Sequence, residues 1–232
     1  MTEGKFHTSI KEAESLLKKF NLLKSIGHKK FGQYSDEFLK TSKKNDIVKT
    51  YKCAIENRDY NLLLIDDSIM QFRKDKEELR YAFIQNPYTY VSKENYISII
   101  FSPEELNDQT EISVEQLIDD NEYEQFLNEQ KLNSISNYFR YDYSRKGYFP
   151  LIHSCSHMHI GQNENVRIPI AKILTPLKFT KFCIKNTYFD EWKMQFKNNP
   201  DFTNEVINMK NDCIALPEND WKDLENNDLH LF

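Results

Sequence analysis

Apolar residues recur every three or four positions near the start of the chain, which predicts an amphipathic helix. Ser9-Ile-Lys-Glu12 has the form of a capping box, in which the serine and the glutamate satisfy free backbone amides at a helix start. The apolar positions that follow at helical spacing are Ile10, Ala13, Leu16, Leu17, Phe20 and Leu23. We expect this helix to end before Gly27 and to pack its apolar face on the core.

Between residues 47 and 101 the pattern changes to short apolar runs separated by polar turn residues, which predicts β-strands. The predicted strands are 47–56, 60–66, 69–73, 79–84 and 96–101. Turns this short join antiparallel neighbours, because parallel strands need a longer crossover connection. The segment is therefore predicted to form an antiparallel meander.

The remaining chain changes between helical and strand patterns. The predicted elements are helices that begin at Ser102 and at Ser113, the second running toward Lys131, strands at 134–144, 155–160 and 166–170, and a helix from Thr175-Pro176 to about Asn186. The loop from Gly161 to Asn165 should close a hairpin between the last two strands. Together these elements predict an α+β fold, in which helices pack on a largely antiparallel sheet made of the meander and a second β group.

Length and charge limit the classes of protein that fit. We expect a single domain over residues 1–232, with an acidic C-terminal extension at 190–232 docked on it through Trp192 and Trp221. The 36 acidic and 31 basic residues give a net charge of −5, so contact with RNA or DNA requires a local basic patch. No signal peptide or membrane-spanning run is found, and the four scattered cysteines are typical of reduced thiols. The sequence therefore predicts a cytoplasmic protein with no membrane contact and no cofactor.

Three of the six histidines fall within seven residues, at His153, His157 and His159. If 155–160 is a strand, alternation places Cys155, His157 and His159 on one face, and His153 joins them if the strand begins earlier. A nucleophilic role for Cys155 would need a lowered thiol pKa, for which the sequence gives no sign. The histidines are the stronger candidates for a functional site.

An arginine is predicted to lie beside these histidines. A symmetric hairpin around the Gly161 loop would bring Arg167 directly opposite His159 on the same face. The strand before it carries Arg140 and Asp142 on one face, with Tyr141 on the other. An arginine beside an imidazole suits an anion, because the guanidinium binds a phosphate or carboxylate while the histidine transfers a proton.

Three interpretations of this cluster remain open. In the first, His157 and His159 act as general acid and base on a phosphodiester, Arg167 or Arg140 stabilises the developing charge, and Tyr141 or Tyr143 orients the substrate. In the second, a transition metal is bound by the set His153, His157, His159 and Asp142. In the third, the histidines are structural and bond to buried backbone groups, while Arg167 pairs with an acidic neighbour.

Several short motifs follow one another along the chain, namely Asp59 to Phe72, Leu79 to Tyr88, Phe139 to Tyr143, His153 to Ile160 and Arg167-Ile-Pro169. Their order resembles the bacterial family called domain of unknown function 2290. The resemblance extends from about the first helix to the helix after Thr175-Pro176, with the tail outside it. The family segment resembles His-Pro-x-Ser-His-Leu-x-Ile, so Ser154 replaces the proline, and the resemblance favours His153, His157, Arg140, Asp142 and Arg167 over His159.

The resemblance implies a bacterial cytosolic protein and supplies no catalytic residues. We expect a metal-independent phosphodiesterase or endoribonuclease that belongs to a defence or toxin module. The alternatives are a non-catalytic accessory module that binds nucleic acid, a nucleotide or a protein, and a metal-dependent hydrolase. The expected partners are RNA or DNA and a protein encoded in the same operon.

Overall fold

The computed structural model describes residues 1–29, 31–44, 46–102, 118–129, 136–161, 163 and 165–231 of the chain. Its helices are α1 (Glu3–Lys19), α2 (Asp36–Thr41), α3 (Ile47–Glu56), α4 (Lys93–Ile100), α5 (Asp120–Glu129), α6 (Pro176–Thr187), α7 (Phe189–Asn198) and α8 (Phe202–Asn211). Its strands are β1 (Leu23–Ile26), β2 (Leu62–Leu64), β3 (Ile69–Asp75), β4 (Glu78–Ile84), β5 (Tyr138–Tyr143), β6 (Ser156–Ile160), β7 (Ile168–Pro169), β8 (Lys172–Ile173) and β9 (Ile214–Ala215). Within these described ranges, no helix has the length and apolar content needed to cross a membrane.

The chain forms two compact units, a larger one of Met1–Gln85 with Asn137–Phe232 and a smaller one of Asn86–Ser136. Seven strands of the larger unit form one antiparallel sheet in the order β1 to β7, so each strand lies beside its neighbours in sequence. β8 and β9 form a separate antiparallel pair. The predicted meander and second β group are therefore parts of one sheet, and the α+β prediction is confirmed.

One face of the seven-stranded sheet carries an aromatic core, because alternate residues of each strand point to the same side. Tyr81 of β4 and Tyr141 of β5 are fully buried there, with ring centroids 5.2 Å apart. Phe6 of α1 and Phe179 of α6 lie 6.2 Å and 5.7 Å from the Tyr81 ring. Since α1 and α6 cover this face, Arg140 and the polar residues that share its parity lie on the opposite face.

The first helix begins and ends earlier than predicted. Its N-cap is Thr2, whose hydroxyl accepts a hydrogen bond from a first-turn amide. Ser9 lies inside α1, where its hydroxyl accepts a hydrogen bond from the Leu177 amide at 2.9 Å. The serine that resembles a cap therefore links α1 to α6, and the apolar residues after α1 enter strand β1.

The predicted strand at 47–56 is wrong, because this segment forms α3. Asp46 caps the helix by accepting a hydrogen bond from the Lys49 amide at 3.0 Å. The buried positions are Thr50, Tyr51, Cys53 and Ala54, which have helical and not alternating spacing. Burial of this face outweighs the strand preference of its β-branched and aromatic residues.

The predicted strand at 96–101 is also wrong, because residues up to Ile100 form the end of α4 in the smaller unit. Ser92 caps this helix by accepting a hydrogen bond from the Asn95 amide at 3.3 Å. Tyr96 then packs against α5, with its ring centroid 4.8 Å from that of Phe126.

The helix predicted to begin at Ser102 and the first residues of the helix predicted to begin at Ser113 fall on residues 103–117, which lie outside the described residues. α5 lies within the predicted helix that runs toward Lys131. This part of the prediction is confirmed.

The helix predicted at Thr175-Pro176 is confirmed as α6, which ends at Thr187. The Thr175 hydroxyl accepts a hydrogen bond from the Lys178 amide at 3.1 Å. In the segment after α6, Trp192 stacks on Phe20, the C-cap residue of α1, with ring centroids 5.8 Å apart. The C-terminal segment is thus held on the larger unit by aromatic packing.

Candidate functional site

A cluster of charged and imidazole side chains lies on the sheet face opposite the aromatic core. The strand register places Asp142 of β5 between Arg80 of β4 and His157 of β6. The same register places Arg140 opposite His159. We call these five residues the polar cluster. The predicted division of β5, with Arg140 and Asp142 on one face and Tyr141 on the other, is confirmed.

Asp142 joins two arginines at the centre of the polar cluster. Its Oδ1 accepts a hydrogen bond from Arg80 Nε at 2.6 Å, and its Oδ2 accepts one from Arg140 Nε at 2.8 Å. Burial alone would raise the pKa of Asp142, but the hydrogen bond with His159 and the two arginine charges hold this pKa well below its usual value. Asp142 is therefore ionised at neutral pH, and the three charged side chains leave one net positive charge.

His157 is a neutral imidazole with one nitrogen hydrogen-bonded to the backbone. Its Nδ1 lies 2.8 Å from the carbonyl oxygen of Ser154, which can only accept, so Nδ1 carries the proton and Nε2 has a free electron pair. Burial lowers the pKa of His157 to about 4, although this hydrogen bond and Asp142 oppose the shift. At neutral pH its Nε2 can accept a proton or bind a metal ion.

His159 is more deeply buried and has an unsatisfied nitrogen. Its Nε2 lies 3.0 Å from Arg140 Nη2 and 3.4 Å from Asp142 Oδ2. Arg140 can only donate and the Asp142 carboxylate can only accept, so Nε2 lies between a donor and an acceptor. The other ring nitrogen is Nδ1. This Nδ1 is buried without a hydrogen-bond partner among the described residues. Such a nitrogen carries a free-energy cost until a polar group reaches it.

His153 lies beside the polar cluster at the end of the β5–β6 connection. Its ring centroid is 5.2 Å from that of His157, which in turn is 4.9 Å from that of His159, so the three rings form a row. The backbone amide of His153 donates to the Phe149 carbonyl at 2.8 Å, which closes a tight turn before β6. This turn explains why a residue outside the strand reaches the histidine row.

Arg167 is placed differently from the other predicted site residues. The pairs His157 with Pro169 and Met158 with Ile168 have the predicted hairpin register, but pairing ends there. Arg167 is exposed, and its side chain makes no ion pair within the described residues. The arginine that contacts His159 is instead Arg140, from the strand on the other side.

Alternation predicted that Cys155 shares the face of His157 and His159, and this prediction is wrong. It precedes β6 and belongs to the hydrophobic core, where it is fully buried. Burial raises the pKa of its thiol to about 12, so the thiolate needed for nucleophilic attack is scarce at neutral pH. Tyr141 also faces the core, where its hydroxyl accepts a hydrogen bond from the Leu174 amide. Neither residue can touch a ligand at the polar cluster.

Asp142, His157 and His159 could together hold a metal ion. Each offers one ligand atom, and these atoms lie within 4.8 Å of one another. The Nδ1 hydrogen bond of His157 to a carbonyl is typical of metal-bound histidines. However, Asp142 already pairs with two arginines, whose positive charges oppose a dication.

A small cavity borders the polar cluster. Its volume is about 150 Å³, and Arg73, Arg80 and Asp142 are among its lining residues, together with the acidic Asp75 and Glu78. At roughly 30 Å³ per water molecule, this space admits a phosphate group but not a whole nucleotide. The side chain of Arg80 is 61% exposed, so a ligand in the cavity can reach its guanidinium.

Arg80 is the member of the polar cluster that sequence reasoning missed. It lies in a segment predicted correctly as a strand. Its role depends on the pairing of β4 with β5, which are separated in the sequence by the residues of the smaller unit. The available signal was the alternation of Arg80 with the apolar residues Leu79 and Tyr81, which marks it as facing away from the core.

The chain matches the model of a known family. The model of the family described as uncharacterized conserved protein (DUF2290) matches residues 18–231. The match includes the C-terminal segment, so the prediction that the tail lies outside the resemblance is wrong. No curated protein and no solved structure matches the chain significantly.

Proposed function

The chain belongs to this family of uncharacterised conserved proteins, and from the geometry of the polar cluster we propose that it cleaves phosphodiester bonds of RNA without a metal ion. In this proposal Arg80 binds the phosphate group and His157 Nε2 removes the proton from the attacking 2′-hydroxyl. The 2′-oxygen bonds to phosphorus as the bond from phosphorus to the 5′-oxygen breaks, and the departing 5′-oxygen takes a proton from water. The observation that carries the proposal is a neutral imidazole with a free Nε2 in a cluster of net positive charge.

The positive charge supports binding of a phosphate. Asp142 neutralises only one of the two arginines and fixes both through their Nε atoms. The exposed Arg80 keeps its terminal nitrogens for a ligand, and a planar guanidinium suits phosphate oxygens. RNA is the substrate that needs no metal, because its 2′-hydroxyl supplies the nucleophile once a base accepts its proton.

A second candidate function is phosphate binding without chemistry. His157 and His159 are only 5% and 2% exposed, so cleavage requires that neighbouring side chains move when the substrate binds. Arg80 could bind a phosphate with no such movement. Membership of a bacterial defence or toxin module remains a prediction for either function.

The test is cleavage of a labelled RNA oligonucleotide by the purified chain, with and without EDTA. We expect cleavage that resists EDTA and fails on the same oligonucleotide with 2′-deoxy sugars. His157→Gln should reduce the rate by about 10²-fold or more, as loss of a general base does. Arg80→Gln should have an effect of the same order, because it removes stabilisation of the phosphate charge.

Arg58→Gln is the matched control, since Arg58 is also an exposed arginine of the larger unit. Cleavage abolished by EDTA would replace this proposal with the metal site. Absence of cleavage together with RNA binding that is lost in Arg80→Gln would favour the binding module. Equal activity of the parent chain and both cluster variants would refute a role for the cluster.

A further inference from the structure

A second group of basic side chains lies on the other side of the sheet, where α6 and α8 pack together. Lys178, Lys181 and Lys185 follow at spacings of three and four residues along α6, so they form one stripe. Lys210 of α8 acts electrostatically on the first two of these lysines. We call these four residues the lysine surface.

The lysines of this surface lie close to one another. The charges of Lys178 and Lys181 act on each other, and Lys181 Nζ lies 5.3 Å from the centroid of the Trp192 ring. Burial, followed by the charges of Lys178, Lys185 and Lys210, lowers the pKa of Lys181 to about 8. The folded chain therefore brings together positive charges that repel one another.

Several other lysines of the larger unit have acidic partners. Lys18 pairs with Glu14, Lys24 with Asp67 and Lys193 with Asp190, at 2.6 to 2.8 Å. Within the described part of the chain, no carboxylate forms an ion pair with Lys181 or Lys185. In a protein with a net charge of −5, this local excess of positive charge calls for an anionic partner from outside.

We infer that the lysine surface binds the phosphate backbone of a nucleic acid. Lys178 and Lys185 are seven residues apart, which is about 10 Å along a helix at 1.5 Å per residue. One phosphate is too small to contact both, whereas successive phosphates of one strand, about 3.4 Å apart along the axis, match this length. The partner is therefore a polymer with repeated phosphates.

The apolar residues of α6 argue against a membrane as the partner. Leu177, Phe179, Cys183 and Ile184 are buried in the core. None of the exposed large hydrophobic residues lies on α6, whose residues are all described. A helix that binds a lipid surface needs an exposed apolar face beside its basic residues. The lysine surface provides charge alone, which fits a sequence-independent contact with phosphates.

This inference does not rest on cleavage at the polar cluster, because α6 covers the opposite face of the sheet. The test measures fluorescence anisotropy of short labelled DNA duplexes of two unrelated sequences at a series of salt concentrations. DNA lacks the 2′-hydroxyl, so failure of the cleavage proposal leaves this measurement unaffected. We expect equal binding of both sequences, with affinity that falls steeply as salt increases.

The double variant Lys181→Gln/Lys185→Gln should bind less tightly, and its log–log salt slope should decrease by about 1.8, or 0.9 for each lost phosphate contact. The matched control is Lys18→Gln/Lys193→Gln, which removes the same charge from paired lysines and should keep the parent slope. Lys181→Arg/Lys185→Arg should retain binding. Lys185→Gln alone, at an exposed position, guards against a folding defect and should lower the slope by about 0.9.

Three results would overturn the inference. The first is no binding of either duplex at low salt. The second is equal weakening in the lysine-surface variant and the control, which would mean that only total charge matters. The third is binding to phosphatidylserine vesicles, and not to DNA, that is lost in the lysine-surface variant, which would assign the surface to a membrane.

Discussion

Replacement of Asp142 by asparagine tests whether the polar cluster contributes to the stability of the fold. The change keeps the shape of the side chain and removes the charge that holds Arg80 and Arg140. Loss of one partner of a buried ion pair typically costs about 3–5 kcal/mol. The Arg80 side chain is 61% exposed and that of Arg140 only 17%, so the first pair is screened by water and most of the cost comes from the second. We therefore expect a loss near the lower limit, about 3 kcal/mol at pH 7.

The cost of Asp142→Asn should depend on pH with a definite sign. The pKa of Asp142 is lower in the folded chain than in the unfolded chain, so below the unfolded value of about 3.9 the unfolded chain binds more protons. The stability supplied by the ionised carboxylate is present above this pH and is lost as the pH falls toward the folded pKa. The difference between parent and variant should therefore shrink by about 1.4 kcal/mol per pH unit below pH 4.

The assay is urea unfolding at pH 7 and at pH 3, followed by tryptophan fluorescence. Both tryptophans, Trp192 and Trp221, lie in the larger unit, so the signal reports on the sheet that carries the cluster. Asp75→Asn is the control, because Asp75 pairs with Arg73 at 3.3 Å on the surface and should cost at most about 1 kcal/mol. A cost of Asp142→Asn below about 1 kcal/mol at pH 7, or one that does not shrink at pH 3, would refute the reasoning.

Three further measurements address other parts of the structure. An added Cβ at Gly27 would overlap the Tyr60 carbonyl, so Gly27→Ala should lower the free energy of unfolding by about 2 kcal/mol or more. Gly4 lies in open space on α1, so Gly4→Ala should raise the free energy of unfolding by about 0.5–1 kcal/mol. Equal effects of the two substitutions would contradict this reasoning. The chemical shifts of the His157 ring protons should titrate near pH 4 in NMR spectra. Because the pKa of His157 is lower in the folded chain than its unfolded value of about 6.5, the stability that this histidine contributes is lost as the pH falls from about 6.5 to 4. Titration near pH 6.5 would show that the ring is not buried. Cys155 should remain unlabelled by maleimide in the folded chain at about pH 8 and react in urea, as read by peptide mass spectrometry; labelling in the folded chain would contradict its core position.

Strand prediction succeeded where alternation and burial agree. β3, β4 and β6 were located because their core residues alternate with polar ones and short turns separate them. It failed at α3 and α4, whose β-branched and aromatic residues have strand preference in isolation. Asp46 and Ser92 cap these two helices, and both caps were readable in the sequence. The capping box at Ser9 predicted a helix start that is wrong, because Ser9 lies inside α1 and its hydroxyl bonds to α6.

The candidate site was predicted in part for similar reasons. Local alternation determines that His157 and His159 share a face, and the same rule separates Arg140 and Asp142 from Tyr141. Arg80 could not be assigned to the site, because its contact with Asp142 spans the whole smaller unit in sequence. The position of Cys155 depends on the turn before β6, where the chain departs from the regular alternation of a strand.

By itself the sequence determined the class of fold, the order of most elements, the family and four of the five residues of the polar cluster, Arg80 being the exception. These follow from periodicity, turn residues and motif order, which act over a few neighbouring positions. The tertiary structure decided which arginine meets which histidine, which imidazole nitrogens are left without a partner and where the lysines of α6 and α8 meet. Such contacts depend on strand register and helix packing between residues far apart in the chain, and only the folded core fixes them.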